Sequence, residues 1–128
     1  MSLLELMVAV AVLAIGLLAL LGSMTFAVRL SRATRETNAA SFTLVSVMED
    51  IAGTPFDDIT EKFPDGQEVT KIGGIEITGS DYYKLQEQTV IVNHQELEPG
   101  ILEVTAIIVW RSGAGRVQSM RLTSVATR

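Results

Sequence analysis

From residue 6 to residue 28 (LMVAVAVLAIGLLALLGSMTFAV) the chain has no Asp, Glu, Lys, Arg, His, Asn or Gln, and Glu5 is the only charged side chain before Arg29. At about 1.5 Å per residue this run makes a helix of roughly 35 Å, enough to cross a hydrocarbon core of about 30 Å. Nothing breaks helix soon after it, because the first proline is Pro55 and only Gly16 and Gly22 precede Gly53. Beyond the apolar run the pattern turns amphipathic. Ala27, Leu30, Ala33 or Thr34, Thr37, Ala40, Leu44, Val47 and Ile51 recur at steps of three and four. Arg29, Arg32, Arg35, Glu36, Glu49 and Asp50 take the other faces. One helix of about 50 residues is predicted, stopped by Gly53-Thr54-Pro55.

Residues 53–84 read as loop with a little sheet. PFDDI and FPDGQE look turn-rich, and segments 69–72 and 75–78 flank Gly73-Gly74 as a tight hairpin. Three strands then follow, at 85–93, 101–110 and 116–126, joined by HQELEPG and RSGAG. In the second, Leu102, Val104, Ala106, Ile108 and Trp110 share one face; in the third, Met120 and Leu122 alternate with Arg121 and Thr123. A meander with one apolar face needs a cover, and the amphipathic half of the long helix supplies it. The predicted fold is α+β: a hydrophobic helix over 1–28, then a globular domain over 29–128. That domain comprises an amphipathic helix at 29–52, a loop and hairpin at 53–84, and antiparallel strands at 85–126.

The charge of −5 over 128 residues hides a strong segregation. Residues 29–35 hold three arginines and no acid; residues 36–103 hold fourteen acids against Lys62, Lys71 and Lys84; residues 104–128 hold four arginines and no acid. So acidic a body exerts no general pull on nucleic acid. With no cysteine there is neither a disulfide framework nor a thiolate metal site. No nucleophile–base constellation, phosphate-cradling glycine loop or paired histidine ligands stand out, so neither an enzyme nor a cofactor is expected. Asp57, Asp58, Glu61 and Asp65 could form an oxygen-rich calcium site. Their spacing lacks the glycine and glutamate of an EF-hand loop, which favours solvated loop acids and no metal. His94, the sole histidine, lies beside a turn, and Trp110 is expected in the core.

Glu5 is the costly feature. A carboxylate inside a membrane segment costs at least about 2.5 kcal/mol, so it calls for a partner, and the nearest cation is the α-amine of Met1. The N-terminus MSLLELMVAVAVLAIGLLALLGS resembles the type IV pilins and type II secretion pseudopilins, whose mature chains carry glutamate at the fifth position of a hydrophobic helix. Here Met1 fills the first position, Ser2-Leu3-Leu4 follow, and Glu5 fills the fifth. The stretches AIGLLALLGS and VMEDIAGTPFDDI, with a Trp-containing strand before a GR turn, resemble the PilV-like minor pilins.

The resemblance implies a short basic leader removed by a prepilin peptidase and an N-methylated Met1 amine. Glu5 is then expected to pair with Met1 of an adjacent subunit and to set its register. Residues 6–28, with Leu6, Val10, Leu13, Leu17 and Leu20 as packing positions, would lie in the filament core. Gly16 and Gly22 would loosen the helix. Implied partners are other major and minor pilins, the inner membrane and its assembly platform. The globular domain is expected in the periplasm, and the assembled filament outside the cell.

Two departures, Gly22 where proline is common and the absence of cysteine, point away from a major pilin. A minor pseudopilin of a type II secretion system is the nearest alternative. A tip-borne adhesion or DNA-uptake subunit and a plain bitopic membrane protein are the others. Arg29, Arg32 and Arg35 read as a face gripping lipid headgroups. Counted by the positive-inside rule they would put the domain in the cytoplasm; the implied leader, which carries the orienting charge, reverses that.

Overall fold

The computed structural model describes residues 2–77 and 85–128, with Ile75 described by its backbone alone. Helix α1 runs unbroken over Leu3–Ala52. It ends as the sequence predicts: the Gly53 N–H donates to the Glu49 carbonyl at 2.9 Å, and the Thr54 hydroxyl donates to the Asp50 carbonyl at 2.7 Å. The chain forms two compact units, Met1–Thr34 and Arg35–Arg128.

In the second unit, the predicted loop after Pro55 is instead a short helix, α2 (Phe56–Lys62). Asp57 and Asp58 sit in its first turn and Lys62 in its last, each favourable for the helix dipole. The acids that look like turn residues are thus a helix start. Six strands follow: β1 (Gln67–Glu68), β2 (Lys71–Ile72), β3 (Ile75–Glu76), β4 (Gln86–Glu98), β5 (Ile101–Arg111) and β6 (Val117–Thr127). β2 and β3 form the expected hairpin, with Gly73 and Gly74 at φ 56° and 84°, conformations that favour glycine.

The main sheet has the order β1-β4-β5-β6, with antiparallel pairings. β4 continues through His94, Gln95 and Glu96 to Glu98, where the sequence predicts a connection. These polar residues stay exposed or half-buried while their backbone pairs with β5, so the hairpin closes only at Pro99-Gly100, with Gly100 at φ 86°.

The core lies between α1 and the sheet. Ala40, Leu44, Val47 and Ile51 of α1 meet Val90 and Val92 of β4 and all five alternate residues of β5 from Leu102 to Trp110. Ile59 and Phe63 close one end. Trp110 is a core residue, as expected, at 4% exposure. Two expectations shift. The amphipathic stripe begins to bury at Ala40, not at residue 29, since Leu30 and Thr34 remain exposed. On β6, Met120 packs at the core margin and accepts a hydrogen bond from the Ser41 hydroxyl at 3.3 Å, but Leu122 stays 39% exposed. A helix about 10–12 Å across covers little more than two strands spaced about 4.8 Å apart, and α1 spends that width on β4 and β5.

Asp50 joins three elements. Its Oδ1 accepts from Lys62 Nζ at 2.9 Å and its Oδ2 from the Gly73 N–H at 3.1 Å, tying the end of α1 to α2 and to the β2–β3 turn. Burial pushes the carboxyl up, but the hydrogen bonds from Lys62 and Gly73 and the Lys62 charge outweigh it and hold it below the usual carboxylate range. A depressed folded-state value stabilises the fold above the unfolded value, near pH 4, and that stability is lost as pH falls through the folded value. Urea denaturation of the full chain in detergent from pH 6 to pH 2.5 should show wild type losing stability below about pH 4 more steeply than Asp50→Asn. In the same assay Leu44→Ala should cost about 2–5 kcal/mol.

Candidate functional site

The first turn of α1 is built by Ser2 and Glu5. The Glu5 N–H donates to Ser2 Oγ and the Ser2 N–H donates to Glu5 Oε2, both at 3.4 Å. This reciprocal arrangement is a capping box, and it satisfies two of the helix's orphan donors. The Ser2 carbonyl accepts from the Glu5 and Leu6 N–H groups at 3.1 and 3.2 Å. Ser-x-x-Glu ahead of an apolar run is itself the sequence signal for this role, which a reading of Glu5 by charge alone passes over. Both side-chain bonds are long, and an ionised carboxylate offers about four acceptor sites, so the box orients Glu5 without saturating it. Met1, expected to supply the partner amine, lies outside the described residues.

After the box comes a surface with no polar face. Leu6, Val10, Leu13, Leu17 and Leu20 succeed one another at four, three, four and three residues, so they form one stripe at the spacing used in helix–helix seams. Val8, Val12, Ile15, Leu18 and Leu21 on other faces are as exposed as the stripe. By length and composition α1 is able to cross a membrane.

Gly16 and Gly22 are not demanded by packing within the chain, because a Cβ at either position meets nothing within 4 Å. Near Gly22 a threonine bonds back to its own helix. The Thr25 hydroxyl donates to the carbonyls of Leu21 at 2.7 Å and Gly22 at 2.9 Å, a back-bonding that competes with the helical ladder and favours bending. Arg29, Arg32 and Arg35 follow, all exposed. Among the described residues the ion pairs are Lys62–Asp50, Arg111–Glu87 and Arg128–Asp57, so none involves these three arginines.

The other candidates are dispersed. Asp57 pairs with Arg128 at 2.9 Å, and Asp65 accepts from the His94 N–H at 2.9 Å. No group of potential metal ligands comes together among the described residues. Among the described residues no hydrogen-bond partner reaches the buried ring nitrogens His94 Nε2 and Trp110 Nε1.

The chain matches none of the family models, characterised proteins or solved structures with which it was compared.

Two substitutions probe the helix. Ser2→Ala removes one arm of the capping box and should cost about 1 kcal/mol, speeding amide exchange at Glu5 and Leu6 roughly fivefold in micelles, with Ser2→Thr restoring protection. Gly22→Ala should stabilise α1 locally by about 1 kcal/mol, slowing exchange around residues 21–25 without a steric penalty.

Proposed function

We propose that the chain is a structural subunit of a type IV pilus, a PilV-like minor pilin. In this reading it waits in the inner membrane with the helix-on-sheet unit in the periplasm. It is then drawn by the assembly platform into a filament with other major and minor pilins, after processing by the prepilin peptidase. The observation that carries the reading is a helix free of charged side chains from residue 6 to residue 28, opened by a capping-box glutamate whose acceptor sites are only partly used among the described residues. Such a surface calls for lipid before assembly and for other helices after it.

The mechanism is positional. A carboxylate in an apolar environment is costly until it meets a cation, and the α-amine of Met1 in an adjacent subunit meets it only at one axial offset. Glu5 therefore selects register as well as binding. The stripe from Leu6 to Leu20 packs against neighbouring helices, and the 16–25 stretch, with two glycines and the Thr25 back-bond, lets the helix adjust.

Glu5→Val removes both the charge and the box, whereas Glu5→Gln keeps an N3 amide able to cap and removes only the charge. Both variants should insert into membranes at wild-type level, and both should fall at least about tenfold in sheared filaments if pairing supplies 1.4 kcal/mol or more. Wild-type incorporation of Glu5→Gln would overturn the charge-pairing mechanism. Mass spectrometry of the filament form should find Met1 at the N-terminus and methylated.

A further inference from the structure

The two edges of the main sheet are treated differently. The β4 edge is blunted: β1 covers it for only two residues, the Asp65 carboxylate occupies the His94 N–H, and a register shift between Glu96 and Glu98 breaks its regularity. Bulges, acids and short cover are devices that keep an edge from pairing with another chain. The β6 edge has neither bulge nor cover among the described residues, and Arg121 is its one charged residue. Its eleven residues pair with β5 from Ile101↔Thr127 to Arg111↔Val117 without a register shift, and it contains no proline, lysine or glycine. Among the described residues no strand lies on its other side.

Beside this edge the core is open. A groove of about 250 Å³ runs between the end of α1, α2 and the core side of β6, lined by Met48, Ile51, Phe56, Ile59 and Ala126 among others. Leu122 points to that same side of the sheet, since it pairs with the buried Ala106, and it remains 39% exposed. The core-side residues of an added strand would lie next to Leu122 and Ala126 and flank the open side of the groove.

Charge identifies the occupant. Arg121 on the opposite side of β6 and Arg116 at its start are exposed and belong to none of the ion pairs among the described residues. Residues 104–128 hold no acid to answer them. A second copy is a poor fit. Two β6 strands paired antiparallel about Leu122, their middle, would set Arg121 opposite Thr123 and diagonally beside its own counterpart, within reach of so long a side chain, with no acid on either strand to answer the like charges. The blunted β4 edge of a second copy is no better.

We propose that the β6 edge takes an extended strand from a different protein chain, apolar on the side facing the groove and acidic on the side facing Arg121. Recognition is by β-strand addition, with backbone hydrogen bonds giving affinity and the alternating side chains giving choice. The proposal stands on the second unit alone and does not require the filament reading.

The test uses the full chain in detergent micelles and two ten-residue probes, one alternating glutamate with valine and threonine, the other with lysine in place of glutamate. The acidic peptide should bind at least about tenfold more tightly, slow amide exchange along β6, and weaken as salt rises. Arg121→Glu, at an exposed position, should keep the fold and reverse the preference towards the lysine peptide. Equal binding of the two peptides, or no binding of either, overturns the proposal. So does a concentration-dependent dimer of the chain that protects the β6 amides without any peptide.

Discussion

A helix that is apolar on all sides for its first half and along one stripe for its second has two separate debts to water. The second half settles its own inside the chain. Ala40, Leu44, Val47 and Ile51 lie on β4 and β5, and every one of them is buried. Every described residue from Ser2 to Arg35, by contrast, is exposed. Most of the rest follows from this asymmetry: one part of the sequence buries its apolar stripe against the sheet, while the other is a helix able, by length and composition, to cross a membrane.

The width of that one helix also decides the state of the sheet. Four strands side by side make a surface broader than α1 can cover, so one flank must be left thin. Cover is concentrated on β5, where all five core-facing residues are buried, and falls away across β6. Arg128 at the end of β6 reaches Asp57 of α2, which steadies that flank through an exposed ion pair of small worth. The flank is anchored at one end and open along its length.

What the residues disclosed in advance depended on how strongly each element is patterned. The long helix was legible because no proline or glycine cluster interrupts it, and β5 because strict alternation runs from Leu102 to Trp110. α2 was not, because Asp57 and Asp58 after a proline serve equally as turn residues and as the first turn of a helix. β1 is only two residues long and exists through pairing with Val92 and Ile91, a tertiary fact with no local signature. The polar tail of β4 was hidden for a related reason: an edge segment bathed in water needs no apolar alternation, only a partner for its backbone. At the candidate site, Glu5 was conspicuous by charge, while its bond with Ser2, signalled by the Ser-x-x-Glu spacing, went unread beside that charge.

Two carboxylates on α1 show how differently a charge can be held. Asp50 receives an ammonium and a backbone N–H from two other elements, and both of its oxygens are engaged within the chain at ordinary hydrogen-bond lengths. Glu5, among the described residues, receives one N–H from its own first turn at 3.4 Å, through one oxygen. The first arrangement is complete and holds three elements together. The second is strong enough to start a helix and to aim the side chain, yet leaves most of its acceptor capacity open. In water that remainder is satisfied at no cost; in an apolar setting it is not, and a cation from outside the helix then becomes worth several times what it would be at a surface. An incomplete local bond at the mouth of an apolar helix thus leaves room for the cation that the proposed pairing would bring.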